Sequence, residues 1–197
     1  MAASKSTTPL PLYTTVADRL EALGWRGHCF VTTGAIGRPG FLDSRQIREL
    51  RARGHVVGSH SVSHPRRFSR GRWEEMVSEW RESREALADI VGEDVTIASV
   101  PGGAFSPRVA RAVREAGLRV LFTSEPETRV ADVGGCTVLG RFTLRAGCRP
   151  DFACRLGRLE AAPRLREWML WNAKKRLKPL VALTVSSRHD VTALAGR

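Results

Sequence analysis

Short apolar runs rich in β-branched residues alternate along this chain with amphipathic stretches of helical period, and that alternation limits the fold more than any other feature. Val16, Ala17, Leu20 and Leu23 share one stripe of a helix predicted over 13–23, which Gly24 stops. His28-Cys29-Phe30-Val31-Thr32-Thr33 then reads as a buried strand running into a Gly/Pro loop, Gly34 to Gly40. Asp43 or Ser44 caps a second helix carrying Ile47 and Leu50, Gly54 closes it, and Val56-Val57-Gly58 follows as a strand. The longest helical pattern covers about 72–91, with Trp73, Met76, Val77, Trp80, Leu87 and Ile90 at steps of three and four. A strand at 95–100, a helix at 107–116 opened by Pro107 and ended by Gly117, and a strand at 118–123 continue the series. Such alternation predicts an α/β domain on a mainly parallel sheet, with functional residues gathered at the carboxyl ends of the strands.

Beyond Glu125 the pattern supports a strand at 137–144, a short helix at 151–156, and an amphipathic helix at 165–177 holding Trp168, Leu170 and Trp171. With 197 residues and 42% hydrophobic content, the chain can bury one sizeable core. The expected organisation is a disordered segment at 1–12, one α/β domain at 13–178 and a poorly structured tail at 179–197.

A formal charge of +12 attracts phosphate backbones, anionic lipid or acidic glycans without choosing among them. Most basic residues stand beside acids, as in Glu79-Trp80-Arg81-Glu82-Ser83-Arg84-Glu85, the pattern of a solvated helix face. Only Lys174-Lys175-Arg176 with Lys178 is dense, and a solvated C-terminal helix is its simplest reading. No recognised nucleic-acid-binding motif accompanies the charge, which argues against that partner. Cys29, Cys136, Cys148 and Cys154 form no CxxC pair and read as ordinary thiols. The stretch from Met1 to Pro11 lacks the apolar core of a signal peptide or membrane span, so the expected address is the cytoplasm.

Chemistry concentrates in Gly58-Ser59-His60-Ser61-Val62-Ser63-His64-Pro65, where two histidines leave a strand end. Gly58, Val62 and Pro65 disfavour a helix, so a bent loop must bring the imidazoles together; two neutral rings there can bind zinc, with the serines as candidate partners for the ring nitrogens. The order of Phe30-Val31-Thr32-Thr33-Gly34, the His-bearing segment, the long helix and Ser99-Val100-Pro101-Gly102-Gly103 resembles the central part of the polysaccharide-deacetylase (NodB-type) family, from about Tyr13 to Thr128. The His segment matches the family's second motif down to the proline, and the Pro-Gly-Gly segment is similar to a variant of its third.

The resemblance implies a distorted (β/α) barrel and metal-assisted hydrolysis of N-acetyl groups on amino sugars. It assigns His60 and His64 as ligands of zinc or another divalent cation, and the Gly102 backbone N–H as the oxyanion donor. Pro101-Gly102-Gly103 is equally a good tight turn. The family's first motif, an Asp-Asp pair ending the first barrel strand, has no counterpart: no Asp-Asp dipeptide occurs, and Asp18 and Glu21 sit within the first helix. The barrel is therefore expected to be incomplete, lacking its first strand. Where the family carries Leu-x-His, this chain has Leu139-Gly140-Arg141; an arginine cannot deliver a proton at neutral pH but can hold negative charge. His189 lies in the unpatterned tail, and His28 and His55 read as structural. The absent acids leave a second reading, a non-catalytic remnant that binds carbohydrate or a partner protein.

Overall fold

The computed structural model describes residues 12–66, 68–103, 105–144 and 147–174, so the expected tail at 179–197, His189 and all but the last residue of the 1–12 segment lie outside the described residues. The first of two units, formed by residues up to 122 with 132–138, contains helices α1 (Leu12–Ala22), α2 (Ser44–Ala52), α3 (Trp73–Val91) and α4 (Pro107–Glu115). Between them run strands β1 (His28–Val31), β2 (Val56–Ser59), β3 (Ile97–Ser99) and β4 (Val120–Phe122). Strand β5 (Val130–Val133) and strand β6 (Cys136–Leu139) follow, and half of β5 and most of β6 belong to this unit. The second unit, 123–131 with 139–197, contains α5 (Pro150–Gly157) and a helix at 161–174, here α6.

Local chemistry explains the helix limits. Asp43 accepts from the Gln46 amide at 2.8 Å while the Gln46 side chain accepts from the Asp43 amide at 2.9 Å, a reciprocal box that starts α2. Ser106 accepts from the Val109 amide at 3.3 Å, and Pro107 opens α4 where its missing N–H costs nothing.

The strand order is β1-β2-β3-β4-β6-β5, with β1 through β4 parallel. Thr137 donates to the Arg119 carbonyl at 2.9 Å and Thr123 to that of Leu139 at 2.8 Å; the numbers rise together on both strands, so β6 is parallel to β4. Gly134 and Gly135, at φ 61° and 78°, make the left-handed pair of a two-residue hairpin, which turns β5 antiparallel as an edge. Strand β5 is absent from the strands predicted by sequence, β6 covers the start of the strand predicted at 137–144, and β3 and β4 are shorter than their predicted spans.

The sheet is strongly curled. Two strands separate β1 from β4, a distance of about 14 Å in a flat sheet at ~4.8 Å per strand. Yet the Phe122 ring centroid lies 5.2 Å from that of Phe30 and 5.3 Å from that of His28. These rings meet on the concave side. Gly58 makes room for them, because a Cβ there would sit 2.7 Å from Ile97 Cγ1 and 2.8 Å from Phe30 Cδ1. On the convex side α3 lies against β2 and between α2 and α4, burying Met76, Val77, Trp80 and Leu87. Among the described residues β1 and β5 are the two edges, so the curl stops short of closure, the incomplete barrel that the sequence predicts.

Gly58→Ala should lower the free energy of unfolding by about 1–3 kcal/mol, the cost of overpacking a filled interior. Urea titration of both proteins measures it.

Candidate metal centre

The His60 amide donates to the Val31 carbonyl at 2.8 Å, extending the β1–β2 pairing one residue past β2. Its ring Nδ1 lies 2.7 Å from the carbonyl oxygen of Ser99, at the end of β3. A carbonyl only accepts, so Nδ1 carries the proton and Nε2 is the lone-pair nitrogen of the neutral ring. The chain then reverses through two left-handed residues that are not glycine, Ser61 at φ 65° and His64 at φ 55°. Such backbone is costly and persists only where surrounding bonds fix it.

Those bonds are present. Glu79 Oε2 accepts from the amides of Val62 and Ser63, each at 2.9 Å, and Glu79 Oε1 accepts from the Ser63 hydroxyl at 2.6 Å. Ser61 Oγ accepts from the His64 amide, Ser59 Oγ accepts from the Ser61 amide, and Ser59 donates to Ser83 of α3 at 2.7 Å. The serines thus hold backbone, Glu79 and one another, and ring orientation comes from the Ser99 carbonyl instead of the hydroxyls that sequence analysis nominates. Glu79 is the functional residue that sequence reasoning misses. Its signal is positional: Glu79 and Ser83 stand three and seven residues after Met76, on the buried stripe of α3 where a polar residue needs a partner.

The reversal leaves the His60 and His64 ring centroids 4.9 Å apart with planes at 60°. Two imidazoles bound to one tetrahedral ion through ~2 Å bonds hold their centroids on the order of 5 Å apart, so the separation of this pair is the one that two ligands of a single ion require. Among the described residues no third His, Cys, Asp or Glu joins them. Asp18 and Glu21 are engaged elsewhere: both pair with Arg53, Glu21 at 2.8 Å. Glu21 also faces His55 Nε2 at 3.0 Å. Buried His55 accepts from the Gly27 amide at Nδ1, so its Nε2 carries the proton given to Glu21, a structural role as predicted. His28 is exposed at the start of β1, its ring stacked on Phe30 and tilted against Phe122.

The imidazole pair and Ser63 sit in a cleft of about 1220 Å3 whose walls include Val16, Leu20, Phe30 and Phe41 of the same unit. Gly102 is exposed at φ 60° in the turn that follows β3. Arg141, in the second unit, donates from Nε to the Thr123 carbonyl at 2.8 Å, and burial lowers its pKa from the usual guanidinium value. The Cys136 thiol is pushed up to about 11, chiefly by burial and secondarily by Asp132, which leaves it unreactive.

Residues 7–121, more than half of the chain, match the polysaccharide deacetylase family. The chain belongs to the polysaccharide deacetylase family. By sequence it matches no curated protein. Among solved structures, this family member is similar to the Streptococcus pyogenes deacetylase PplD in complex with acetate, at 17% identity and a TM-score of 0.64, covering 73% of this chain and 63% of that one. It is also similar to IcaB from Ammonifex degensii, at 22% identity and a TM-score of 0.61, covering 76% and 67%. A de-N-acetylase from Aggregatibacter actinomycetemcomitans follows at 15% identity and a TM-score of 0.59, covering 71% and 68%. These likenesses establish the deacetylase fold, and the chain spans less than two thirds of the length of the Streptococcus protein.

Glu79→Ala should destabilise the protein by about 1–3 kcal/mol by stranding two amides and a hydroxyl, with Glu79→Gln recovering part of the loss. Thermal melts of the two variants check it. Hydrogen bonding to Arg53, then to His55, holds the Glu21 carboxyl below the usual carboxylate range. Its contribution to stability is present above that range and lost as pH falls through the lowered value, so Glu21→Gln should flatten the acid limb of a stability–pH curve.

Proposed function

We propose that this protein is a metal-dependent amidohydrolase that removes N-acetyl groups from amino sugars. The observation that supports this most is the His60–His64 pair, folded back to 4.9 Å with the His60 Nδ1 proton engaged by the Ser99 carbonyl. The Nε2 lone pair of His60 and a ring nitrogen of His64 would hold a divalent ion, zinc by donor chemistry, which when bound would polarise the acetyl carbonyl and lower the pKa of a water ligand.

The remaining work falls to the chain itself. Glu79 and the Ser59–Ser83 bond hold the reversed loop, so His64 stays beside His60 without reorganising when substrate arrives. The Gly102 amide, in an exposed left-handed turn after β3, offers a backbone donor to the oxyanion that develops as the amide carbonyl is attacked. Arg141, in the second unit, is anchored through Nε on the Thr123 carbonyl, and its guanidinium gives no proton at neutral pH. The apolar walls of the cleft suit the acetyl methyl and the face of a sugar ring.

Zinc calorimetry on the protein and on His60→Ala/His64→Ala tests the site, with acetate release from N-acetylated chitooligosaccharides testing the reaction. The expected result is stoichiometric zinc binding weakened at least about 100-fold in the double variant, and acetate release abolished by chelator and restored by zinc. Zinc binding indifferent to the double variant would contradict the assignment. Saturable glycan binding that survives chelation, with no acetate released, would favour a carbohydrate-binding role without catalysis.

A further inference from the structure

Helix α6 is built the wrong way round for a helix covering a protein core. Leu165, Trp168 and Met169 stand at i, i+3 and i+4, the spacing of an apolar stripe, yet they are 56%, 50% and 52% exposed. Pro163 is buried, and the Glu167 side chain retains only 22% of its exposure. Water is an unfavourable neighbour for such a stripe, and a contiguous exposed patch of this kind marks a contact surface.

Charge selects the contact. From 158 to 178 the sequence carries seven basic residues and two acids, ending in Lys174-Lys175-Arg176-Leu177-Lys178. Both acids are already paired, Glu160 with Arg155 and Glu167 with Arg166. A second copy of the chain would bring the same positive charge against this one, and a nucleic-acid backbone offers no seat for leucine and methionine. An anionic bilayer supplies both partners, negative headgroups for the cations and an acyl boundary for the stripe, with tryptophan at the depth it prefers. The 14 described residues of the helix reach about 21 Å against a hydrocarbon core of about 30 Å. No described helix is long and apolar enough to span one.

We propose that α6, with the basic residues that follow it in sequence, seats this protein on an anionic lipid surface, lying in the interface with Leu165, Trp168 and Met169 inserted.

The full chain is to be sedimented with vesicles of phosphatidylcholine and with vesicles of equal parts phosphatidylcholine and phosphatidylglycerol, at low and high salt. Two variants accompany it, Trp168→Ser/Met169→Ser and Lys174→Gln/Lys175→Gln/Arg176→Gln. The expected result is binding that requires phosphatidylglycerol, weakens with salt and falls by roughly tenfold in each variant, with circular dichroism and melting unchanged. If the first variant fails to fold, the charge variant, which leaves the apolar stripe intact, decides the matter. The proposal is overturned by equal binding to neutral vesicles, by undiminished binding of the variants, by tighter binding to duplex DNA than to anionic vesicles, or by no vesicle binding. A dimer dissolved by Trp168→Ser/Met169→Ser, without vesicle binding, would assign the stripe to self-association instead.

Discussion

One hydrogen bond, from His60 Nδ1 to the carbonyl oxygen of Ser99, joins the ends of two neighbouring parallel strands and decides which nitrogen of the ring meets the cleft. It can form only because β2 and β3 finish side by side, with Ser59 opposite Ala98 in register. The same sheet is curled so that Phe30 packs against Phe122, with Gly58 leaving room for Phe30 and Ile97. The fold therefore reaches the site by a short path: parallel pairing aligns the strand ends, and the aligned ends orient the imidazole.

The loop beyond His60 draws on a different resource. Left-handed backbone at Ser61 and His64 disfavours the observed conformation, and the compensating bonds come from α3 through Glu79 and Ser83, from the Thr33 and Gly34 amides on the Ser61 and Val62 carbonyls, and from Ser61 Oγ on the His64 amide. A helix that serves the core with Trp80 and Leu87 serves the site with the polar residues next to them on the same face. Stability and site geometry are coupled there, and substitutions on that face should alter both together.

Much of this is legible in sequence where the cause is local. The glycine stops at Gly24, Gly54 and Gly117, the capping residue Asp43 and the period of α3 each act within a turn or two, and each predicts its element. The His60–His64 pair is equally legible, because glycine and proline rule out a helix and force the bend. Strand β5 goes unread although Gly134-Gly135 carries the hairpin signal, since Val130 to Val133 is half exposed and of mixed polarity, too weak a pattern to stand as a strand alone. Glu79 goes unread for a deeper reason: a carboxylate that caps a loop sixteen residues upstream is a tertiary contact, and among neighbouring acids it looks like one more solvated charge. The Ser99 carbonyl, a backbone acceptor, leaves no mark in the residue alphabet at all.

The central claim is that His60 presents Nε2 because its Nδ1 proton is held by Ser99. Long-range 1H–15N correlation spectra of histidine-labelled protein, before and after adding zinc, read this directly. The account predicts a neutral His60 in the Nδ1–H form, with its Nε2 resonance and a ring-nitrogen resonance of His64 shifting together as zinc is added. A His60 ring protonated at Nε2, or a zinc-dependent shift confined to Nδ1, would contradict it.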